Sequence, residues 1–353
     1  MKGRLLAIHR VLNISRVFFF GYLPLLLVSS DASASSQQQS PSRRAENLFI
    51  IVANGIRFDD AFGHKMHLYT EMLWSELRPL GTVCTRLYNN GATWSLPAQA
   101  SLLTGVRHEG YNPIGTNFHP AFPTLFEYWT KSKGAGSCYF AANRKLYGNL
   151  GHSGYPEFGD STAPLFDNGV RDSGNTDLTK VKTESVISGN EIYEKAIGHI
   201  FTRHPSMVFL NLDSGSVEQG YPHDHEHPPG APACEGEAGS LNAYYESIIL
   251  TDTIVYDLWN RIQNDTIYRE KTVFVFMSTH GRNSDDFRII GDDSRGCRQL
   301  NILIIGPGIR KDFISKKRRS LIDLCRTIGT MFTVPTPYAK GKVMKELFER
   351  RDE

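Results

Sequence analysis

Several residues of this 353-residue chain could do chemistry, and most stand where an apolar run ends. The stretch FMSTHGRNSDD, residues 276–286, places His280 and Gly281 after a buried-looking run. An acid before such a His-Gly pair would present metal ligands at a strand tip. Here the preceding residue is Thr279, a far poorer ligand. The run NLFIIVANG, residues 47–55, closes on Asn54, whose amide oxygen can touch a metal but carries no charge. Ser95, in ATWSLPAQASLLTG, is a competent nucleophile, and a helix starting there favours an anion beside it. The plainer expectation is that Ser95 caps that helix. His223, His225 and His227 alternate in HDHEH, so in an extended segment all three face one way, as a metal claw would. The competing reading is a polar loop between Pro222 and the pair Pro228 and Pro229. The acid pairs Asp59–Asp60, Asp285–Asp286 and Asp292–Asp293 read as solvated loop carboxyls.

The elements that must position these residues alternate in type. Continuous apolar runs such as NLFIIVANG, SMVFLNLD and TVFVFMS predict buried parallel strands. TVCTRLY, SCYFAA and LNILIIGPG read as further strands. Helical spacing covers residues 67–80, LPAQASLLT with Pro97 in its first turn, FPTLFEYWTKSK, 190–204, 241–264 and 320–332. Strands alternating with helices predict an α/β fold with a largely parallel central sheet flanked by helices. Ligands of such sheets lie beyond the carboxyl ends of the strands, which makes the loops after Asn54, Asp213 and Thr279 and the helix start near Ser95 the places of interest.

Composition narrows the class. The chain is 40% hydrophobic and 22% charged with a formal net charge of +2, so nothing points to nucleic acid as a partner. The basic run at 310–319 reads as a solvated face. Basic residues precede an apolar run at 17–28, and Ala32-Ser33-Ala34 offers a cleavage site. Residues 1–34 are therefore expected to be a signal peptide for secretion or periplasmic export, with an uncleaved membrane anchor as the alternative. Residues 35–45 are Ser/Gln-rich and expected to be a disordered leader. A single domain is expected over 46–353, with insertions near 147–177 and 214–239 and no transmembrane helix in the mature chain. Five cysteines, Cys84, Cys138, Cys234, Cys297 and Cys325, are an odd number and match no zinc-finger spacing; buried free thiols are expected at Cys84 and Cys325.

The pieces FIIVANGIRFDDAFG, LYNNGATWSLPAQASLLTG, IVYDLWNRIQND, TVFVFMSTHGR and GCRQLNILIIGPG, in that order, resemble the alkaline phosphatase superfamily, and most of all its bacterial sulfatase-like hydrolases. The resemblance spans about residues 47–334. It implies two metal ions, usually zinc, at the carboxyl edge of the sheet, one activating a Ser or Thr nucleophile and one binding the transferred group. Residue by residue, the implied nucleophile falls at Ser95. The implied ligand positions fall at Asn54 in place of Asp, at Thr279 in place of Asp, at His280, and at Ile290 in place of a distal His. A mid-chain Asp and a His four residues on would fall at Ser216 and Gly220, or at Asp213 and Val217. Only His280 keeps a strong donor.

The expectation is therefore an exported pseudoenzyme of this fold, with vestigial positions Asn54, Ser95, Thr279 and His280, acting as a binding or assembly subunit for other proteins and needing no cofactor. The alternative is an active phosphate- or sulfate-ester hydrolase using Ser95, with zinc or another divalent metal held partly by Asp213, His223, His225 and His227.

Overall fold

The computed structural model describes residues 45–109, 119–141, 150–158, 164–167, 189–212 and 241–349. In chain order the strands are β1 (Asn47–Val52), β2 (Gly81–Cys84), β3 (Leu87–Tyr88), β4 (Cys138–Ala141), β5 (Leu165–Asp167), β6 (Met207–Asn211), β7 (Thr272–Met277), β8 (Gln299–Leu300), β9 (Ile302–Ile305), β10 (Phe313–Ser315) and β11 (Arg319–Ser320). The helices are α1 (Ser95–Thr104), α2 (Leu125–Lys133), α3 (Gly189–Arg203), α4 (Leu241–Asn264), the single turn α5 (Arg295–Arg298) and α6 (Asp323–Phe332).

The main sheet runs β10-β2-β9-β7-β1-β6-β4-β5, and β3 joins β8 and β11 in a small second sheet. From β5 to β7 every pairing is parallel, while β9 runs antiparallel to both β7 and β2. The predicted α/β class and largely parallel sheet are what the structure has. β1 lies at the centre because five of its six residues are apolar, and all six, Asn47 included, are buried. Its side chains alternate between two cores. Leu48, Ile50 and Val52 face α1, α2 and α6, whereas Phe49 and Ile51 face α3 and α4.

Local signals fix the helices near the sheet edge. α1 stops at Gly105, which takes a left-handed φ of +68°. A Cβ there would also come within 2.7 Å of the Ala339 Cβ. α2 begins with a capping box between Thr124 and Glu127. The helix expected over 67–80 is shorter than its spacing suggests. Its helical turns begin after Thr70, as the segments Leu73–Leu77 and Arg78–Leu80, because His67 sits at a left-handed φ of +50° and breaks the run. No helix among the described residues is long and apolar enough to cross a membrane. The expected leader segments, and most of the two insertions, lie outside the described residues.

Candidate functional site

Parallel pairing in register brings two of the chosen positions together. Val52 of β1 is opposite Met277 of β7, so two residues on, Asn54 faces Thr279. The Asn54 Oδ1 accepts from the Thr279 backbone N–H at 3.1 Å and from the Thr279 hydroxyl at 2.7 Å. Both residues are buried. Gly55 follows at φ +77°, and its N–H donates to the His280 carbonyl at 3.1 Å, tying the two strand ends once more.

α1 supplies the third component. Ser95 is its first helical residue, and its cap position is taken by Trp94, with no side-chain capping bond. The expectation that Ser95 caps the helix is therefore corrected. Its hydroxyl instead lies 3.0 Å from the His280 Nε2, a partner 185 positions away along the chain. His280 is fully buried, while Ser95 remains partly exposed. The His280 Nδ1 is 2.9 Å from the Gly281 carbonyl. A carbonyl only accepts, so Nδ1 carries the ring proton, and in the neutral ring Nε2 accepts from the Ser95 hydroxyl.

Loops that sequence reasoning passed over hold this arrangement. The Asn89 side-chain amide donates to the Thr279 carbonyl at 3.2 Å and to the Ala92 carbonyl at 2.8 Å, so one residue joins the end of β7 to the chain entering α1. Arg298 donates to the carbonyls of Asn89 and Gly91 and pairs with Asp293 at 2.8 Å. Gly281 sits so tightly that a Cβ would come within 2.1 Å of the Gly296 carbonyl oxygen. Gly291, at φ +76°, lies against the Trp94 ring, where a Cβ would come within 2.1 Å. The loop carrying Ile290 thus crosses the residue just before Ser95, and Ile290 itself is half-buried. No pattern in the sequence marks Asn89 or Gly291, because each matters through a partner distant along the chain.

Two carboxyls near this edge, Asp60 and Asp292, are engaged. Asp60 pairs with Arg57 and accepts from the Tyr244 hydroxyl at 2.9 Å. Burial works to raise the pKa of Asp292, but hydrogen bonds from Cys297, Asn283 and Ser294 outweigh it and hold the carboxyl below its usual range. Burial, helped by Asp292, pushes the Cys297 thiol up to about 12. Cys84, Cys138 and Cys325 are likewise buried free thiols, as expected for Cys84 and Cys325. Asp213, Ser216, Val217, Gly220, His223, His225 and His227 lie outside the described residues. Among the described residues, the buried side-chain amides of Gln99 on α1 and of Asn211 at the end of β6, in register with Val52, meet no hydrogen-bond partner.

No protein-family model matches the chain, and no curated protein matches it by sequence. Solved structures do. A 2-O GAG sulfatase superposes with a TM-score of 0.60 at 13% identity, covering 88% of this chain and 76% of that one. The fold is alkaline-phosphatase-like. A protein of the alkaline phosphatase superfamily from Vibrio parahaemolyticus superposes with a TM-score of 0.58 at 15% identity, covering 88% of this chain and 72% of that one. A phosphonate monoester hydrolase from Silicibacter pomeroyi superposes at 0.56 and 13% identity, covering 87% and 78%. At such identities the likeness concerns the fold.

A two-metal centre of the kind the resemblance implies does not fit the donors that the described residues offer. Asn54 Oδ1 already accepts twice from Thr279, and His280 directs Nε2 at Ser95 and Nδ1 at a carbonyl. None of Asn54, Ser95 and Thr279 brings a negative charge to offset two dications. Among the described residues no group of three His, Cys, Asp or Glu side chains is placed to share an ion.

Proposed function

We propose that this chain is an exported protein of sulfatase-like fold that has left two-metal ester hydrolysis behind and serves as a binding or assembly subunit for other proteins. The observation that supports it is the closed hydrogen bonding between Asn54 and Thr279. A hydroxyl donor has replaced a metal-facing acid, and its proton lies on the oxygen that would have faced a metal. Such a neutral pair neither attracts nor neutralises a dication.

The alternative, a metal-dependent hydrolase of sulfate or phosphate esters, draws on the partly exposed Ser95 and on the chemistry named for the neighbouring structures. Its remaining ligands would have to come from Asp213, His223, His225 and His227. Elemental analysis of the purified full chain, grown with zinc, tests both together with turnover of generic phosphate and sulfate esters. The expected result is no bound metal pair and no turnover above a Ser95→Ala control. Two zinc ions per chain with Ser95-dependent turnover would replace the proposal with the alternative.

A further inference from the structure

We propose that Ser95 and His280 form a metal-free nucleophile–base pair that takes up an acyl group from neutral carboxylic esters. It rests on the reading above only in that no metal is required. The geometry is a partly exposed hydroxyl 3.0 Å from the Nε2 of a buried imidazole whose Nδ1 faces a backbone carbonyl.

The imidazole is held in that tautomer. Its Nδ1 faces the Gly281 carbonyl at 2.9 Å. Gly281 cannot shift easily, since its N–H donates to the Cys297 carbonyl at 2.9 Å and its Cα abuts the Gly296 carbonyl. The orienting group is thus a backbone carbonyl where many such pairs use a carboxylate, which fixes direction but lends less support to the charged ring. Ser95 opens the ten-residue helix α1, whose N-terminal dipole favours negative charge developing beside it.

Among the described residues, the cations around this edge point to the substrate class. Arg298 is paired with Asp293, and Arg57 with Asp60. Arg282 donates to the carbonyls of Gly55 and Phe287 and lies over Tyr244, which belongs to the core on the opposite face of the sheet from α1. A sulfate or phosphate ester brings anionic oxygens that need counter-charge, and these arginines are committed elsewhere. A neutral carboxylic ester develops one negative oxygen, and only in the transition state.

The step balances without metal or redox partner. Ser95 Oγ bonds to the ester carbonyl carbon as its proton passes to His280 Nε2. The tetrahedral intermediate collapses, the ester C–O bond breaks, and the proton leaves with the alcohol. Water then attacks the acyl-Ser95 through the same base and releases the carboxylic acid.

The test uses the purified full chain with 4-nitrophenyl acetate, in excess chelator and, in a separate arm, with added zinc and no chelator. Nitrophenolate release and peptide mass mapping are followed together, alongside Ser95→Ala and His280→Gln variants. Expected is one acetyl group on Ser95, absent in Ser95→Ala, with its rate of formation lowered about a hundred-fold in His280→Gln. Because His280 is buried, the unfolding midpoint of that variant is measured as well. If it fails to fold, Ser95→Ala decides alone. Acetylation spread over lysines, or equal in wild type and Ser95→Ala, overturns the proposal and leaves the binding reading standing. Ser95 acetylation that appears only with added zinc overturns both and favours the metal-dependent hydrolase.

Discussion

Glu127 and the Asn54–Thr279 pair are both polar groups buried beside helices, and they are satisfied in opposite ways. Glu127 is 0% exposed and receives four donors. Its Oε2 accepts from the Thr124 N–H at 2.6 Å and hydroxyl at 2.9 Å, and its Oε1 from the Ser153 N–H at 3.0 Å and hydroxyl at 2.8 Å. That carboxyl clamps the chain before α2 and the segment around residue 153 onto one helix. At the sheet edge the described side chains meet the same need in two pairs, the Asn54 amide with the Thr279 hydroxyl and the His280 imidazole with the Ser95 hydroxyl. The Glu127 carboxyl serves architecture, while Asn54, Ser95, Thr279 and His280, at the edge where a catalytic centre would lie, form an electrically quiet set without an acid among them.

Glu127→Ala is expected to have the largest effect. It leaves four donors without their acceptor in a fully buried place and removes a capping box. Chemical denaturation is expected to show a loss of about 3–5 kcal/mol. A loss below about 1 kcal/mol would mean that water replaces the carboxyl there, and the contrast with the edge would collapse.

The next tests the quiet edge by charging it. Asn54→Asp combined with Thr279→Asp puts two carboxyls where a 2.7 Å hydrogen bond now runs. Two acids so close cannot both ionise, so at least one folded-state pKa rises above its unfolded value near 4. The sign follows from proton binding: the folded state then holds the proton more tightly, so stability is greatest at low pH and falls as pH rises through the raised pKa. In chelator the double variant should lose about 3 kcal/mol at neutral pH and less near pH 4. Zinc should restore neither stability nor ester turnover, because Ile290 still offers no donor. Recovery of both with zinc would show that the edge needed only its charges.

How much of this was legible depends on the length over which a signal runs. The strands β1, β6 and β7 announce themselves as unbroken apolar runs, and the burial of β1 on both faces follows from that. The direction of β9 does not, since an apolar run is the same read for parallel or antiparallel pairing. The two-residue strands β3, β8 and β11 carry no periodicity at all. At the edge, Asn54 and Thr279 could be placed together because each ends a central strand. The Ser95–His280 contact could not, because Ser at a helix start has a common local use and nothing local says which atom its hydroxyl will meet. Gly281 and Gly291 were silent for the same reason: their constraints come from Gly296 and Trp94 across the fold.

A smaller change in stability is expected at Ser95 itself. If its hydroxyl capped α1, glycine would be tolerated there better than alanine, since a cap lies outside the helix and Gly serves it nearly as well as Ser. In the structure Trp94 holds the cap position and Ser95 already has a helical backbone. There alanine is favoured over glycine by up to about 1 kcal/mol, with the first turn at the low end. Ser95→Ala should therefore cost under about 1 kcal/mol, the net worth of its bond to His280 less the gain in helix propensity. Ser95→Gly should cost several tenths of a kcal/mol more, read from paired denaturation curves. The reverse order would return Ser95 to a capping role and take away the hydroxyl aimed at His280.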